Sequence, residues 1–387
     1  MQQTLSLGTS SFAALRAADE IYVDKTAMVE KLARRRGKIL LIRPRRFGKT
    51  LLLSTFESLF RYGLRDFHGL AIEKDWDDRT YPVVRLDFTE LKEFGRGEVF
   101  RAKLCEKLTA VFGAVGFPGA PENADVMIRL SAWLAGLPPM SLVVLVDAYD
   151  APLTRWLDDP LAFEDIRSVL NEFLQVIKAN DGCLRFFFMT GVTKICSTGL
   201  FSEFDGLRDV SLDEEYGTLL GFTEEELLAD FGPYLDRAAE VMGCSKEDLL
   251  KKLAEQYGGY HFDPTVSQSV LCPWSLLSFL DRPKTTFAFP RLQSDTHPLL
   301  EMKRFRRHPQ LRPDVFLEDK IVRLRDLAAG GRPEEVDLVI LLMQAGYLSI
   351  LEMPKDENVK LWFPNQEASV GASRQVLAAL SNGKIRL

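Results

Sequence analysis

The chain has 387 residues, a length that favours two or three domains, and its 46% hydrophobic and 27% charged residues are ordinary for globular proteins. This composition excludes a disordered or fibrous chain, and the net charge of -6 gives no overall attraction to nucleic acid or to an anionic membrane. The five cysteines form no CxxC pair, and no apolar run approaches the roughly 18 residues of a membrane span. We therefore expect a cytoplasmic protein with reduced cysteines and no membrane segment.

Short apolar segments alternate with helical patterns in the first half of the chain. Segments rich in Val, Ile, Leu and Phe occupy residues 38–42, 83–88, 142–146 and 184–189. The apolar residues of 161–179 recur at helical spacing between the last two. Continuous apolar strands separated by helices predict an α/β fold, a parallel sheet with helices on both faces.

The first strand leads into a basic loop with a phosphate-binding pattern. Residues 38–54 read KILLIRPRRFGKTLLLS, in which Gly48, Lys49 and Thr50 open a helical segment. Glycine exposes backbone N–H groups to a phosphate, lysine neutralises its oxygens, and the hydroxyl binds Mg²⁺. Arg43 stands where the usual pattern has its first glycine, so a basic surface loop is the alternative. Further candidate nucleotide-binding residues in and after the loop are Arg45, Arg46, Phe47 and Leu51.

The third predicted strand ends in an acidic residue. In LVVLVDAYDAPL at residues 142–153, Asp147 follows an apolar run about 100 residues after the basic loop. A carboxylate at this position holds magnesium in P-loop proteins, so Asp147 and Thr50 are the predicted ligands of the Mg²⁺ of a nucleotide. The alternative role of Asp147 is that of a helix cap after a strand.

The pattern changes after about residue 220. Thr223 and Ser245 are predicted N-caps of helical segments with no strand between them, and residues 280–297 form the predicted linker. Beyond it, a helix over 334–345 followed by a β-hairpin suggests a winged-helix-like region. The expected domains are an N-terminal segment (1–20), a P-loop core (21–220), a helical lid (221–290) and a winged-helix-like C-terminal region (291–387).

Several motifs occur in an order typical of one bacterial family. They include YVDKT (22–26), IRPRRFGKT (42–50), VDAYDAP (146–152), MTGVTK (189–194), YGGYHF (257–262) and FPNQE (363–367). The chain resembles AAA-ATPase-like proteins, which are often fused to a C-terminal PD-(D/E)XK nuclease-like domain. The resemblance implies an AAA/ASCE-like P-loop NTPase fold that uses ATP and Mg²⁺, and it accounts for Arg43, because the family carries Arg-Pro at this place.

Three features depart from the family pattern. The DEYDAP element of the family is DAYDAP here, with Ala148 in the place of the glutamate. Asp205 and Gly206 stand where an Asn-Asn pair is usual. Only some twenty residues follow FPNQE, so we expect no nuclease-like domain in this sequence. Because alanine cannot accept a proton from water, we expect slow ATP hydrolysis. Ala148 is either native to a pseudo-ATPase or a change introduced at a catalytic glutamate.

Other candidate residues lie near the predicted site. Thr190 and Lys194 end the fourth strand, where a polar residue senses the terminal phosphate; the alternative is a turn with a solvated lysine. Asp150 is expected to be structural, and Arg46 to contact nucleotide or to act as an arginine finger. Lys25 is a candidate for a structural ion pair with Asp24. An aromatic cluster of the lid either belongs to the core or covers the nucleotide; its members are Tyr257, Tyr260, His261 and Trp274.

The predicted function is that of an ATP-dependent switch. Its partner is a nucleoside triphosphate together with a protein, a second copy of the chain, or nucleic acid, for which the basic residues 302–308 are the candidate contact. A non-catalytic nucleotide-dependent interaction module is the second hypothesis, and a P-loop kinase is a weaker third.

Overall fold

The structure is a computed structural model that describes residues 3–92, 95, 97–122, 124–194, 206–290, 320–328, 337–352 and 356–380. Asp205, part of the predicted linker (291–297) and the basic stretch 302–308 lie outside these ranges. Within them, no helix has both the length and the apolar character needed to cross a lipid bilayer.

A five-stranded parallel sheet forms the centre of the molecule, in the order β2-β3-β4-β1-β5. Its strands are β1 (Lys38–Ile42), β2 (Val83–Asp87), β3 (Leu142–Asp147), β4 (Leu184–Gly191) and β5 (Leu207–Asp209). One strand, β4, lies between β1, which precedes the basic loop, and β3, which ends in Asp147. The predicted α/β fold of the AAA/ASCE-like class is therefore confirmed; β5 was not predicted, because its three residues contain no apolar run.

Alternate residues of β1 face two different helical layers. Ile39 and Leu41 pack with α1 (Phe12–Ala17), α2 (Thr26–Arg34) and α3 (Lys49–Tyr62). Leu40 and Ile42 belong to the opposite core cluster, with α4 (Glu98–Gly113), α5 (Val126–Ala135), α6 (Ala151–Thr154) and α7 (Pro160–Ala179). The helix predicted over 161–179 is α7, which begins one residue earlier because Asp159 caps it through the Ala162 N–H.

Four helices follow the sheet and bury a third apolar cluster. They are α8 (Glu224–Asp230), α9 (Gly232–Met242), α10 (Lys246–Tyr257) and α11 (Pro273–Asp281). The hydroxyls of Thr223 and Ser245 accept hydrogen bonds from backbone N–H groups of the first turns of α8 and α10, as their predicted capping role requires. Phe231 separates α8 from α9, where Pro233 occupies the first turn.

The last region combines helices with a second sheet. Its elements are β6 (Lys320–Arg323), α12 (Leu324–Ala328), α13 (Leu338–Gln344), β7 (Ser349–Glu352), β8 (Asn358–Trp362) and α14 (Gln366–Leu380). The predicted hairpin is present as the antiparallel pair β7–β8, and β6 adds a third strand on the other edge of β8. Apolar residues of α13 and β8 belong to the same core cluster as α4 to α7, so this region packs on one face of the central sheet.

Candidate nucleotide-binding site

A tight loop of residues 43–48 joins β1 to α3. Gly48 precedes the first residue of α3 with a φ of 94°, a left-handed conformation that costs glycine little and other residues more. The first N–H groups of a helix lack partners within the helix, and they carry the positive end of its dipole. The loop therefore places an anion-binding helix end at the carboxyl edge of the sheet, which suits a phosphate.

Arg43 points away from this helix end and into the protein. Its guanidinium donates to the carbonyls of Ile42 (2.9 Å), Ser211 (2.7 Å) and Tyr216 (3.0 Å), and it lies 4.3 Å from the ring centre of Phe262. Burial lowers the pKa of Arg43 to about 9, so the side chain remains charged at pH 7. Arg43 thus ties β1 to the segment after β5, and its side chain does not obstruct the loop.

Lys49 and Thr50 begin α3 beneath the loop. The Lys49 ammonium donates to the carbonyls of Arg43 and Pro44, both at 2.9 Å, so it lies inside the curve of the loop. The Thr50 hydroxyl hydrogen bonds the Asp147 carboxylate at the end of β3. Burial raises the pKa of Asp147, while the Thr50 hydrogen bond and the Lys49 charge oppose the shift. A hydroxyl and a buried carboxylate in contact beside a lysine are oxygen ligands suited to Mg²⁺.

Ala148 follows Asp147 in a strained conformation. Its φ is 51°, the left-handed region that residues with a Cβ rarely adopt. Two hydrogen bonds hold the turn: Tyr149 N–H donates to the Thr190 carbonyl (3.1 Å), and Ala151 N–H donates to the Ala148 carbonyl (2.9 Å). The methyl group of Ala148 is partly exposed at the edge of the site and offers no acceptor for a proton.

Hydrogen bonds connect the end of β4 to the neighbouring segments. The Thr190 hydroxyl donates to the Leu41 carbonyl at 2.8 Å and is buried. Asp150, 2% exposed, accepts from the N–H groups of Val192 and Thr193 and from the Thr193 hydroxyl. The structural role expected for Asp150 agrees with these bonds, which fix the turn after β4 against the turn after β3.

Lys194 is not the solvated lysine of the alternative prediction. Its side chain is 4% exposed, and its ammonium forms a salt bridge of 2.5 Å with Asp209 at the end of β5. Its backbone N–H donates to the side-chain carbonyl of Gln344 in α13 at 2.9 Å. Lys194 therefore connects the end of β4 both to β5 and to the C-terminal region.

The remaining loop residues divide between the core and the lid. Phe47 is buried edge-on against Tyr260 and Phe262, so it anchors the loop. Arg46 is exposed, and its guanidinium lies 4.6 Å from the ring centre of Trp274 in α11. Arg45 is half-buried on the loop, and Leu51 on the first turn of α3 lines the cavity described next.

A cavity of about 320 Å³ extends from the loop towards the lid. Gly48, Lys49 and Thr50 line one end, and the apolar side chains of Tyr22, Leu220 and Trp274 line its walls. Residues 6 and 8–10 of the N-terminal segment also border it, which the sequence motifs did not indicate. A cavity of this size that joins an anion-binding loop to apolar walls suits a nucleotide, with the phosphates at one end and the base at the other.

Residues near the cavity have mixed roles. Lys25 pairs with Glu226 of α8 at 2.5 Å, whereas Asp24 accepts hydrogen bonds from Thr26 and Ala71, so the expected pair of Asp24 with Lys25 is replaced by a bond to the lid. Of the aromatic cluster, Trp274 lies at the cavity, and the other members lie in the core or against the C-terminal region: Tyr257, Tyr260 and His261.

Two charged residues at the end of β2 were missed by the sequence analysis. Asp87 is in register with Asp147 on the neighbouring strand, and Arg85 lies two residues earlier. The segment VVRLDF resembles β3 in that a mainly apolar strand ends in aspartate. This pattern is the sequence signal that could have revealed Asp87. The carboxyl ends of parallel strands share one edge of a sheet, so both aspartates lie at the site.

Comparisons with known proteins identify the family of the chain. A family model described as "Predicted AAA-ATPase", AAA-ATPase-like, matches residues 6–201, 196 of the 387 residues. A protein of Azotobacter chroococcum mcd 1, described as "Uncharacterized protein in vnfD 5'region", is 28% identical over 97% of this chain and 70% of its own length. Two solved structures of Aeropyrum pernix ORC2 also match. The structure with ADPNP and ADP has a TM-score of 0.36 at 13% identity, covering 92% of this chain and 93% of that one. The ADP form has a TM-score of 0.32 at 11% identity, covering 97% and 95%. By its family match and the loop that carries it, this chain belongs to the AAA-ATPase-like family.

Proposed function

We propose that this chain binds ATP with Mg²⁺ at the loop between β1 and α3, hydrolyses it slowly, and acts as a nucleotide-dependent switch on a partner. The observation that carries the proposal is the contact of Thr50 with Asp147 beside Lys49 at the N-terminus of α3. Binding of phosphate and metal requires the lysine, the hydroxyl and the carboxylate to lie together. A loop that is only a basic surface cluster has no need of this arrangement.

Each residue of the site has a role in this proposal. Lys49 and the first N–H groups of α3 bind the β- and γ-phosphates, and Thr50 and Asp147 hold the metal. When bound, Mg²⁺ neutralises charge on the phosphate oxygens. The base lies between Tyr22 and Trp274, in the apolar part of the cavity. Water attacks the γ-phosphorus, the bond to the β,γ-bridging oxygen breaks, and ADP and phosphate are released.

Ala148 is the reason to expect slow turnover. A carboxylate at this position takes a proton from the attacking water, and general-base catalysis is typically worth about 10²–10⁴-fold in rate. The phosphate- and metal-binding groups remain in place, so ATP binding does not depend on residue 148.

Three contacts support the switch. Arg46 lies on Trp274, so the loop touches the lid. Lys194 N–H donates to Gln344, and the Ser275 hydroxyl of the lid donates to the buried Glu367 of α14 at 2.7 Å. The C-terminal region thus contacts both the turn after β4 and the lid, and a change at either of these contacts can reach it. Its partner would be a protein, a second copy of the chain or nucleic acid.

Two variants test ATP binding and hydrolysis. Lys49→Ala removes the phosphate cation, so ATP affinity is expected to fall at least about tenfold, measured by titration with a fluorescent ATP analogue. Ala148→Glu restores a base and is expected to raise kcat at least about tenfold. Ala148→Gln is the matched control, because glutamine has the size of glutamate but its neutral amide does not accept a proton from water. Equal rates for the two substitutions would refute Ala148 as the missing base, and equal ATP affinity of Lys49→Ala and the parent chain would refute the site.

The second candidate function is a non-catalytic nucleotide-dependent interaction module. The observation that favours it is Ala148 itself, together with the engagement of Lys194 by Asp209. This chain would then hold ATP without turnover even when saturated with a partner. Measurement of ATP consumption with and without that partner separates the two functions.

A further inference from the structure

We propose that Asp87 is a further catalytic carboxylate of this site, which accepts the proton of the attacking water in the absence of a carboxylate at position 148. The inference rests on the proposed ATPase function and deepens it. It predicts that hydrolysis by this chain, although slow, depends on a residue of β2.

The sheet register places Asp87 beside the metal-binding residues. Asp87 pairs with Asp147 across β2 and β3, and in-register neighbours in a sheet project to the same face. That face is the one covered by α3, since Asp147 contacts Thr50. Arg85, two residues before Asp87 on the same face, donates to Glu57 of α3 at 3.0 Å and contacts the Thr50 carbonyl at 3.5 Å. The two strands therefore direct both aspartates towards the start of α3.

The Asp87 carboxylate is oriented by local hydrogen bonds. Its Oδ1 atom accepts from the Thr89 N–H (2.8 Å) and from the Thr89 hydroxyl (2.6 Å). Among the described residues no donor engages Oδ2, and the side chain is only partly buried. One oxygen thus fixes the position of the group, and the other is available to water.

Other acids near the loop already have partners. Asp150 is bound to Val192 and Thr193, Asp209 to Lys194, and Glu57 to Arg85. Asp87 is therefore the carboxylate of the described residues that combines position at the strand edge with an available oxygen. In the proposed step the water oxygen bonds to the γ-phosphorus, its proton passes to Oδ2 of Asp87, and the electron pair of the broken bond stays on ADP.

The test compares Asp87→Asn with the parent chain, because asparagine retains the Oδ1 acceptor for Thr89 but cannot take the proton. Single-turnover hydrolysis of ATP-Mg²⁺ is expected to slow at least about tenfold, while the Kd for a fluorescent ATP analogue changes less than about threefold. The melting temperature of the nucleotide-free protein is expected not to fall, because asparagine retains the oxygen that accepts both hydrogen bonds from Thr89. Glu90→Gln on the following turn is the control for loss of a nearby carboxylate, and its turnover is expected to match the parent chain.

The same substitution in an Ala148→Glu background separates catalysis from structure. The introduced glutamate supplies the base in that background, so Asp87→Asn is expected to cost less than about threefold. An unchanged rate in the parent background, an equal loss in both backgrounds, or bound ATP without any turnover by the parent chain would overturn the role of Asp87. Failure of the parent chain to bind ATP would instead refute the proposed function itself.

Discussion

Arg43 shows how one residue can break a loop pattern and preserve the loop. A glycine at the start of such a loop lets the backbone approach phosphate closely, and an arginine side chain directed outward would occupy that space. Here the side chain turns inward, donates to three carbonyls and lies against Phe262. The positive charge stays buried because carbonyl dipoles solvate it, and Asp209 and Asp263 oppose the effect of burial on its pKa.

Arg43→Gly is therefore expected to destabilise this protein, although it restores the common loop pattern. The substitution removes hydrogen bonds to the buried carbonyls of Ser211 and Tyr216, so the free energy of unfolding is expected to fall by at least about 2 kcal/mol. The measurement is the midpoint of urea unfolding. Arg36→Gly is the control, because Arg36 is exposed before β1, and an effect below about 0.5 kcal/mol is expected for it. Equal effects of the two substitutions would show that Arg43 has no structural role.

At the scale of elements, the turn after β4 is the connection between the nucleotide site and the C-terminal region. Asp150 holds this turn from one side, and Gln344 of α13 holds it from the other through the Lys194 N–H. Since Gln344 is 5% exposed, the hydrogen bond is shielded from water, and a shift of the turn must move α13 or break the bond.

Gln344→Leu is expected to uncouple the C-terminal region from nucleotide. Leucine fills a similar volume but accepts no hydrogen bond from Lys194. ATP affinity should change less than about threefold, because no phosphate-binding group is altered. In limited trypsin digestion, ATP-Mg²⁺ should slow cleavage after the lysines and arginines of 320–380 in the parent chain but not in this variant. Gln268→Leu, an exposed glutamine of the lid side, is the control that should retain the effect. Retained protection in Gln344→Leu would exclude this route.

A second contact of the C-terminal region is expected to depend on pH. His261 Nδ1 lies 3.0 Å from the Ile350 carbonyl of β7, so it is the protonated nitrogen, and burial lowers the pKa of His261 despite that bond and the charge of Asp263. The neutral form is thus favoured in the folded state. The stability it contributes is present above the unfolded pKa of about 6.5 and is lost as pH falls through the lower folded value.

Urea unfolding at pH 7.5 and 5.5 tests this expectation. The parent chain should lose more stability on acidification than His261→Asn, which has no group that titrates in this range. His68→Asn serves as the control, because the side chain of His68 is 92% exposed and remote from β7. An acid loss in His261→Asn as large as in the parent chain would contradict the assignment.

At the scale of the whole molecule, apolar periodicity and the order of motifs predicted four of the five strands of the central sheet, but they did not predict the contacts between distant segments. Four strands were predicted from their apolar runs, and the loop and the metal ligand were predicted from Gly48 and Asp147 at the ends of two of these strands. All of these patterns are local in the sequence. The burial of Lys194 depends on its salt bridge with Asp209, and β5 depends on its pairing with β1. Both contacts form only in the folded chain. Asp87 carried the same local signal as Asp147, but only the register of β2 with β3 places the two together.

The cavity is likewise assembled from segments far apart in sequence. The cavity is bordered by residues 6, 8–10, 21–23 and 25, by the loop with the start of α3, by residues 219–222 and by the start of α11. A ligand that contacts several of these segments stabilises them together, by about 2.7 kcal/mol at a concentration of 100 Kd.

Hydrogen exchange measured by mass spectrometry should therefore slow in all of these segments at once when ATP-Mg²⁺ is added. The loop and α3 should be protected through their N–H contacts with phosphate, and the N-terminal segment and α11 through enclosure of the base. With ATP near the Kd of the parent chain, Lys49→Ala should show weaker protection in every one of these segments, because its lower affinity leaves most of the variant unbound. Protection confined to the loop and α3 would mean that the phosphates bind but that the lid and the N-terminal segment do not close on the base, so the switch would have to act through the turn after β4 alone.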